Sequence, residues 1–139
     1  MSFAAFFMSA ESPTPALLAA AEQVRAQLKL PFYDAAAVAQ LARFIEVQRA
    51  ALPAAQREGV ATALGCFLGQ CLVAVYSGEW AKGPDGSTGV GLRERFFFNP
   101  FHLVNQQLNE GERASVAAFF ASVPQRLAAP PAVRTRWIS

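Results

Sequence analysis

Apolar positions recur at helical spacing through the first part of the chain. Leu17, Ala21, Val24 and Leu28 lie three or four residues apart, which predicts a helix from about Thr14 to Lys29. Thr14 is a capping residue type, and Pro15 suits the first helical position. Leu30-Pro31 ends the helix. Asp34 is placed to cap a second helix, whose buried stripe is Val38, Leu41, Ile45 and Leu52, with Arg43, Glu46 and Arg49 largely outside. Pro53 separates it from a third helix, from about Ala54 to Tyr76. The pattern then changes. Glu79 to Lys82, Thr88 to Leu92 and Arg95 to Phe98 read as three strands of an antiparallel meander. They are joined by the turns Gly83-Pro84-Asp85-Gly86 and Arg93-Glu94. Asn99-Pro100 opens a short helix to about Leu108. Glu112 to Ser122 reads as the last helix, with Val116, Phe119, Phe120 and Val123 on one face and Pro124 as its stop.

Helices, then strands, then helices argue for an α+β fold rather than a parallel α/β fold. Three strands cannot stand alone, and the third helix is the element expected to cover one face of the meander. The expected organisation is an apolar segment over 1–13, one domain over 14–124 and an extended tail over 125–139.

The third helix contains twenty residues without a charge, Gly59 to Gly78. About twenty apolar residues suffice to cross a bilayer. This run, however, carries four glycines, Thr62, Gln70 and Ser77, and lacks aromatic belts and a basic flank. A core helix buried on nearly all sides fits better. Gly65 and Gly69, which in a membrane promote helix pairing, then let a neighbouring helix or sheet approach closely.

Composition sharpens this reading. The chain has 139 residues, 53% apolar and 16% charged, which fits one globular domain and excludes a highly charged disordered chain. A net charge of +2 is too small to imply a nucleic-acid partner. Arg126, Arg134 and Arg136 near Trp137 read as a solvated tail. Cys66 and Cys71, five apart on a helix, point about 140° from each other and cannot pair. They read as buried thiols in a reducing, cytoplasmic setting. Phe3, Phe6, Phe7 and Met8 lack the basic flank of a signal peptide and call for a surface to cover them.

Four stretches carry a resemblance. They are Gly65-Cys66-Phe67-Leu68-Gly69-Gln70-Cys71, Tyr76-Ser77-Gly78-Glu79-Trp80, Asn99 to Val104, and Ser115 to Phe120. Their order and spacing over about residues 34–124 resemble a family of small bacterial proteins of unknown function. The resemblance implies an α+β fold with a helix on a small sheet, and no established activity. Gln70 stands where the family has a glutamate, Ser77 where it has a glycine, and Asn105 where basic or polar residues are usual. An amide cannot serve as a general base, so Gln70 reads as a hydrogen-bonding tie between helix and sheet.

Candidate chemistry is sparse. His102, the one histidine, has no Asp, Glu, Ser or Cys at helical spacing and reads as structural. Cys66 or Cys71 with His102 would need a thiolate in apolar surroundings, which is disfavoured. No clustered ligands suggest a metal, and no cofactor fingerprint is present. The glycine-rich Gly83 to Gly91 links two strands and reads as a hairpin rather than a phosphate loop.

Phe96-Phe97-Phe98 carries more weight. Strand neighbours alternate, so Phe97 points away from Phe96 and Phe98. If one face packs on the third helix, the other exposes a phenylalanine near arginines, a pairing enriched in interfaces. Cover by a loop or by the Phe3–Phe7 segment remains an alternative. The expectation is a non-enzymatic, cytoplasmic protein-binding module, of the kind that neutralises a partner toxin or effector. Trp80, Lys82, Asp85, Arg93, Arg95 and Phe97 are its expected contacts. The alternatives are a ligand-binding or catalytic pocket between sheet and third helix, uniting Gln70, Tyr76 and His102; a membrane-surface protein using the two termini; and a homo-oligomer.

Overall fold

The computed structural model describes residues 14–128 other than Glu94, with Thr14 in its backbone alone. The first 13 residues, the tail from 129 and Glu94 lie outside the described residues, and with them the readings of Phe3, Phe6, Phe7, Met8, Arg134, Arg136 and Trp137. Three helices come first: α1 (Thr14–Leu28), α2 (Ala35–Arg49) and α3 (Ala54–Tyr76). The strands β1 (Glu79–Lys82), β2 (Thr88–Leu92) and β3 (Phe96–Phe98) follow, and then α4 (Pro100–Glu110) and α5 (Val116–Ala128). The class is α+β. The sheet is an antiparallel meander in the order β1-β2-β3, with Trp80 opposite Val90 and Val90 opposite Phe98.

The caps form where the sequence places them. Asp34 Oδ1 accepts from the Ala37 amide at 2.9 Å, and Asn99 Oδ1 from the His102 amide at 3.0 Å, with Pro100 in the first turn of α4. Each satisfies one of the donors a helix start leaves open.

α3 is the central element and packs on α1, α2, α4 and the first two strands. Its burial is more local than a wholly enclosed helix. Leu64 to Leu72 is buried at every position but Gln70, whereas Glu58, Gly59, Thr62, Ala74 and Val75 are exposed. It is also long and apolar enough to cross a membrane, and half of its most apolar window is buried inside the fold. The buried part belongs to the core, with Phe67, Leu68 and Leu72 in one cluster with Leu41, Ile45, Val90, Leu92 and Phe120.

Gly65 and Gly69 explain how two elements reach α3 at once. A Cβ on Gly65 would lie 2.8 Å from the Phe101 Cα in the first turn of α4. A Cβ on Gly69 would run into the Trp80 indole. Glycine weakens a helix interior by about 0.5–1 kcal/mol relative to alanine. Here it admits α4 and β1 to contact with the helix backbone. The rings of Trp80 and Phe101 then meet with centroids 6.1 Å apart.

The C-terminal part departs from the sequence reading in three respects. Gly111, at φ +80°, ends α4, and Gly111–Ala114 forms a 3-10 turn. The last helix therefore begins at Val116 rather than Glu112, with Ser115 Oγ accepting from the amides of Ala117 and Ala118 at 3.1 and 3.2 Å. Pro124 does not stop it: α5 continues to Ala128, Leu127 is buried, and the domain reaches beyond residue 124. Arg126 belongs to this helix rather than to a tail, with its guanidinium 5.5 Å from the Phe119 ring and 5.8 Å from that of Phe98.

A proline inside a helix strips one carbonyl, four residues back, of its N–H donor. For Pro124 that carbonyl belongs to Phe120. The Tyr76 hydroxyl donates to it at 2.8 Å, and the two rings pack at 4.9 Å. The orphaned acceptor is thus satisfied from the last turn of α3.

Gln107, wholly buried, ties three elements. Its Nε2 donates to the Ala42 carbonyl at 3.1 Å and to Glu46 at 2.8 Å, and its Oε1 accepts from the Val116 amide at 2.9 Å. Glu46 and Arg49, read as outward residues, are half-buried for this kind of reason. Arg49 and Arg57 both donate to the Leu108 carbonyl, at 3.3 and 2.9 Å, where α4 exposes its last acceptors.

Three outcomes follow for thermal or denaturant unfolding. Gly69→Ala is expected to destabilise by about 1–3 kcal/mol through overpacking against Trp80. Gly59→Ala, where a Cβ meets nothing within 4 Å, is expected to stabilise by about 0.5–1 kcal/mol. Tyr76→Phe is expected to cost about 1–3 kcal/mol by leaving the Phe120 carbonyl unsatisfied. In a Pro124→Ala background most of that cost should vanish, because the backbone then supplies the donor; equal costs in both backgrounds would contradict the pairing.

Candidate functional site

Pairing and pleat divide the sheet into two faces. Trp80, Val90, Leu92, Phe96 and Phe98 share the inner one. Val90 and Leu92 are fully buried, and Phe98 meets the Phe119 ring edge-on at 4.9 Å. The outer face carries Glu79, Ala81, Gly89, Gly91 and Phe97.

Phe97 leans across the outer face rather than standing up from it. A Cβ on Gly83 or Gly89 would run into its ring, so the phenylalanine uses both glycines as a bed and is half-buried. Among the described residues Gly91 has no such cover. The nearest atom to a Cβ there is the Phe96 carbonyl oxygen, at 3.8 Å. Gly91 lies between Glu79 and Phe97 in the register and leaves a slot in the middle of the central strand.

The slot opens into a groove of about 740 Å³. Tyr76, Ser77 and Glu79 form one side of its lining, and Lys82, Arg93 and Arg95 contribute the cations. Ala81, Pro84, Gly91 and Phe97 supply apolar surface. Arg95 is held in place: its guanidinium lies 4.8 Å from the Phe96 ring and donates to the Leu127 carbonyl at 3.4 Å. Arg93 is exposed and sits at φ +55°, a left-handed conformation that costs a non-glycine residue about 1–2 kcal/mol.

Of the six expected contact residues, Lys82, Arg93, Arg95 and Phe97 come together in this groove. Trp80 does not. Its indole is turned inward onto Gly69, and Nε1 donates to Gln70 Oε1 at 3.2 Å, so it anchors the sheet to α3. Asp85 lies outside the groove lining and serves the β1–β2 turn. Its Oδ1 accepts from the Ser87 amide at 3.0 Å and hydroxyl at 2.7 Å, which holds its carboxyl below the usual range. Gly91 and Glu79 are not among the residues expected from the sequence, and Tyr76 is expected only in a pocket between sheet and third helix. The signal for Gly91 was a glycine inside a strand pattern, which often marks a close approach.

The space between sheet and α3 is filled by the Trp80 indole, and the residues of the alternative pocket are separately employed. Gln70 accepts from Trp80, Tyr76 donates to Phe120, and exposed His102 starts α4. The groove includes Tyr76 but neither Gln70 nor His102. Cys66 and Cys71 are free and buried; burial pushes the Cys66 thiol up to about 11 and that of Cys71 higher still. Among the described residues no group of three or more His, Cys, Asp or Glu side chains is placed to hold a metal ion.

No family model, no curated protein and no solved structure matches this chain. The site is therefore read from its own geometry.

Gly91 and Arg93 are both unfavourable for stability at their positions. Gly91→Ala is expected to stabilise by about 0.5–1 kcal/mol, and Arg93→Gly by a similar amount through relief of the left-handed backbone. Chemical-denaturation midpoints check both; a loss of stability in either variant would show that the residue serves the fold.

Proposed function

We propose that this chain is a non-enzymatic protein-binding module that docks a partner on the outer face of its sheet. The observation that carries the reading is the groove over Gly91, lined by Phe97 and three cationic side chains. Half-buried aromatic surface beside arginine is the composition of interface hot spots. A dedicated role in neutralising a toxin or effector fits this build, because such a role needs a recognition surface and no chemistry of its own. The resemblance to small bacterial α+β proteins and a cytoplasmic setting belong to the same proposal.

Affinity capture from the source organism tests it, with the full chain as bait and stoichiometry read by quantitative mass spectrometry. The wild-type chain is expected to recover one protein in stoichiometric amount, and a chain carrying Gly91→Val, which fills the slot, to lose it. Recovery of no stoichiometric protein, or equal recovery by both baits, would sink the reading.

A further inference from the structure

Two positions in the groove run against what the fold alone favours. Gly91 leaves a gap in the central strand where a side chain would meet only a carbonyl oxygen 3.8 Å away. Arg93 holds a long charged side chain at φ +55°, where glycine or asparagine is the easier choice. Neither choice is explained by packing among the described residues: none of them lies over Gly91, and the Arg93 side chain is exposed. Both residues line the same groove. Residues that reduce stability and converge on one surface are the expected mark of a functional constraint.

Each choice also says something about what is bound. A bare glycine at mid-strand lets another backbone come close. Arg93, exposed, brings a guanidinium to the same lining. We propose that the groove receives an extended, acidic segment of the partner protein, with its backbone over Gly91 and a carboxylate on the Arg93 guanidinium. Guanidinium recognises carboxylate in a two-pronged geometry that an ammonium lacks, which accounts for an arginine being kept where the backbone disfavours it. Phe97 supplies the apolar contact at the side of the slot.

This inference rests on the reading that the outer face binds a protein and adds the chemistry of what is bound. The test is a fluorescence-anisotropy titration of the full chain against three labelled ten-residue peptides, alternating valine with glutamate, lysine or serine. The glutamate peptide is expected to bind at least tenfold more tightly than the other two. Gly91→Val and Arg93→Gly are each expected to weaken it at least tenfold without lowering the unfolding midpoint. Binding should also weaken as salt rises, as charge pairing at an exposed site requires. Should Gly91→Val disturb the fold, Gly91→Ala carries the same test.

A glutamate peptide that binds no better than the serine peptide would overturn the proposal. Displacement of the glutamate peptide by an equal concentration of inorganic phosphate would do so as well, by assigning the groove to small anions. In the capture experiment, a partner lost with Gly91→Val but retained with Arg93→Glu would leave the outer-face reading intact and reject the acidic segment. A partner retained by Gly91→Val would reject the outer-face reading itself.

Discussion

The fold depends on the bare side of α3 at Gly65 and Gly69. One glycine admits the backbone of Phe101 and the other the indole of Trp80. α4 and the sheet are therefore located by the same turn of the same helix, and their aromatic rings close on each other above it. With Trp80 drawn inward and its N–H spent on Gln70, the rest of the register follows. Val90 and Phe98 must share the inner face, and Gly91 and Phe97 must face out. The inner anchor thus decides which face of the sheet turns outward.

Polar groups complete what the apolar contacts begin. Gln107 is buried without cost because each of its amide atoms has a partner, and those partners lie in α2 and at the start of α5. Tyr76 performs a comparable task for Pro124 by satisfying the carbonyl that the proline leaves without a donor. Both are long-range repairs of local defects, and each fixes α4 or α5 against an older part of the chain. The groove is bordered by the products of these repairs, since Tyr76 lines one side of it and Arg95 is tethered to the Leu127 carbonyl on α5.

Local rules and local sequence agree over most of the chain. Asp34 and Asn99 cap because a short side chain can reach an amide three residues on, whatever surrounds it. Strand alternation placed Phe97 opposite to Phe96 and Phe98 without reference to any other element. The misreadings have a common cause. Pro124 is a stop signal in isolation and a helix residue once Tyr76 is near. Trp80 is an interface residue type in isolation and a core anchor once Gly69 is opposite. Of the expected contacts, the four that line the groove come from one local three-stranded meander, and Gly91 was not singled out because a slot is defined by what surrounds it.

The sequence by itself determined the element order, the helix starts at Ala35 and Pro100, the meander, and the glycine face of the central helix. These follow from periodicity, caps and turn residues, which act over a few positions. The tertiary structure alone decided which residue fills each glycine notch, how a proline survives inside α5, and which face of the sheet turns outward. Those outcomes depend on atoms brought together from distant parts of the chain, and hydrogen-bond satisfaction and steric fit have no counterpart in local spacing.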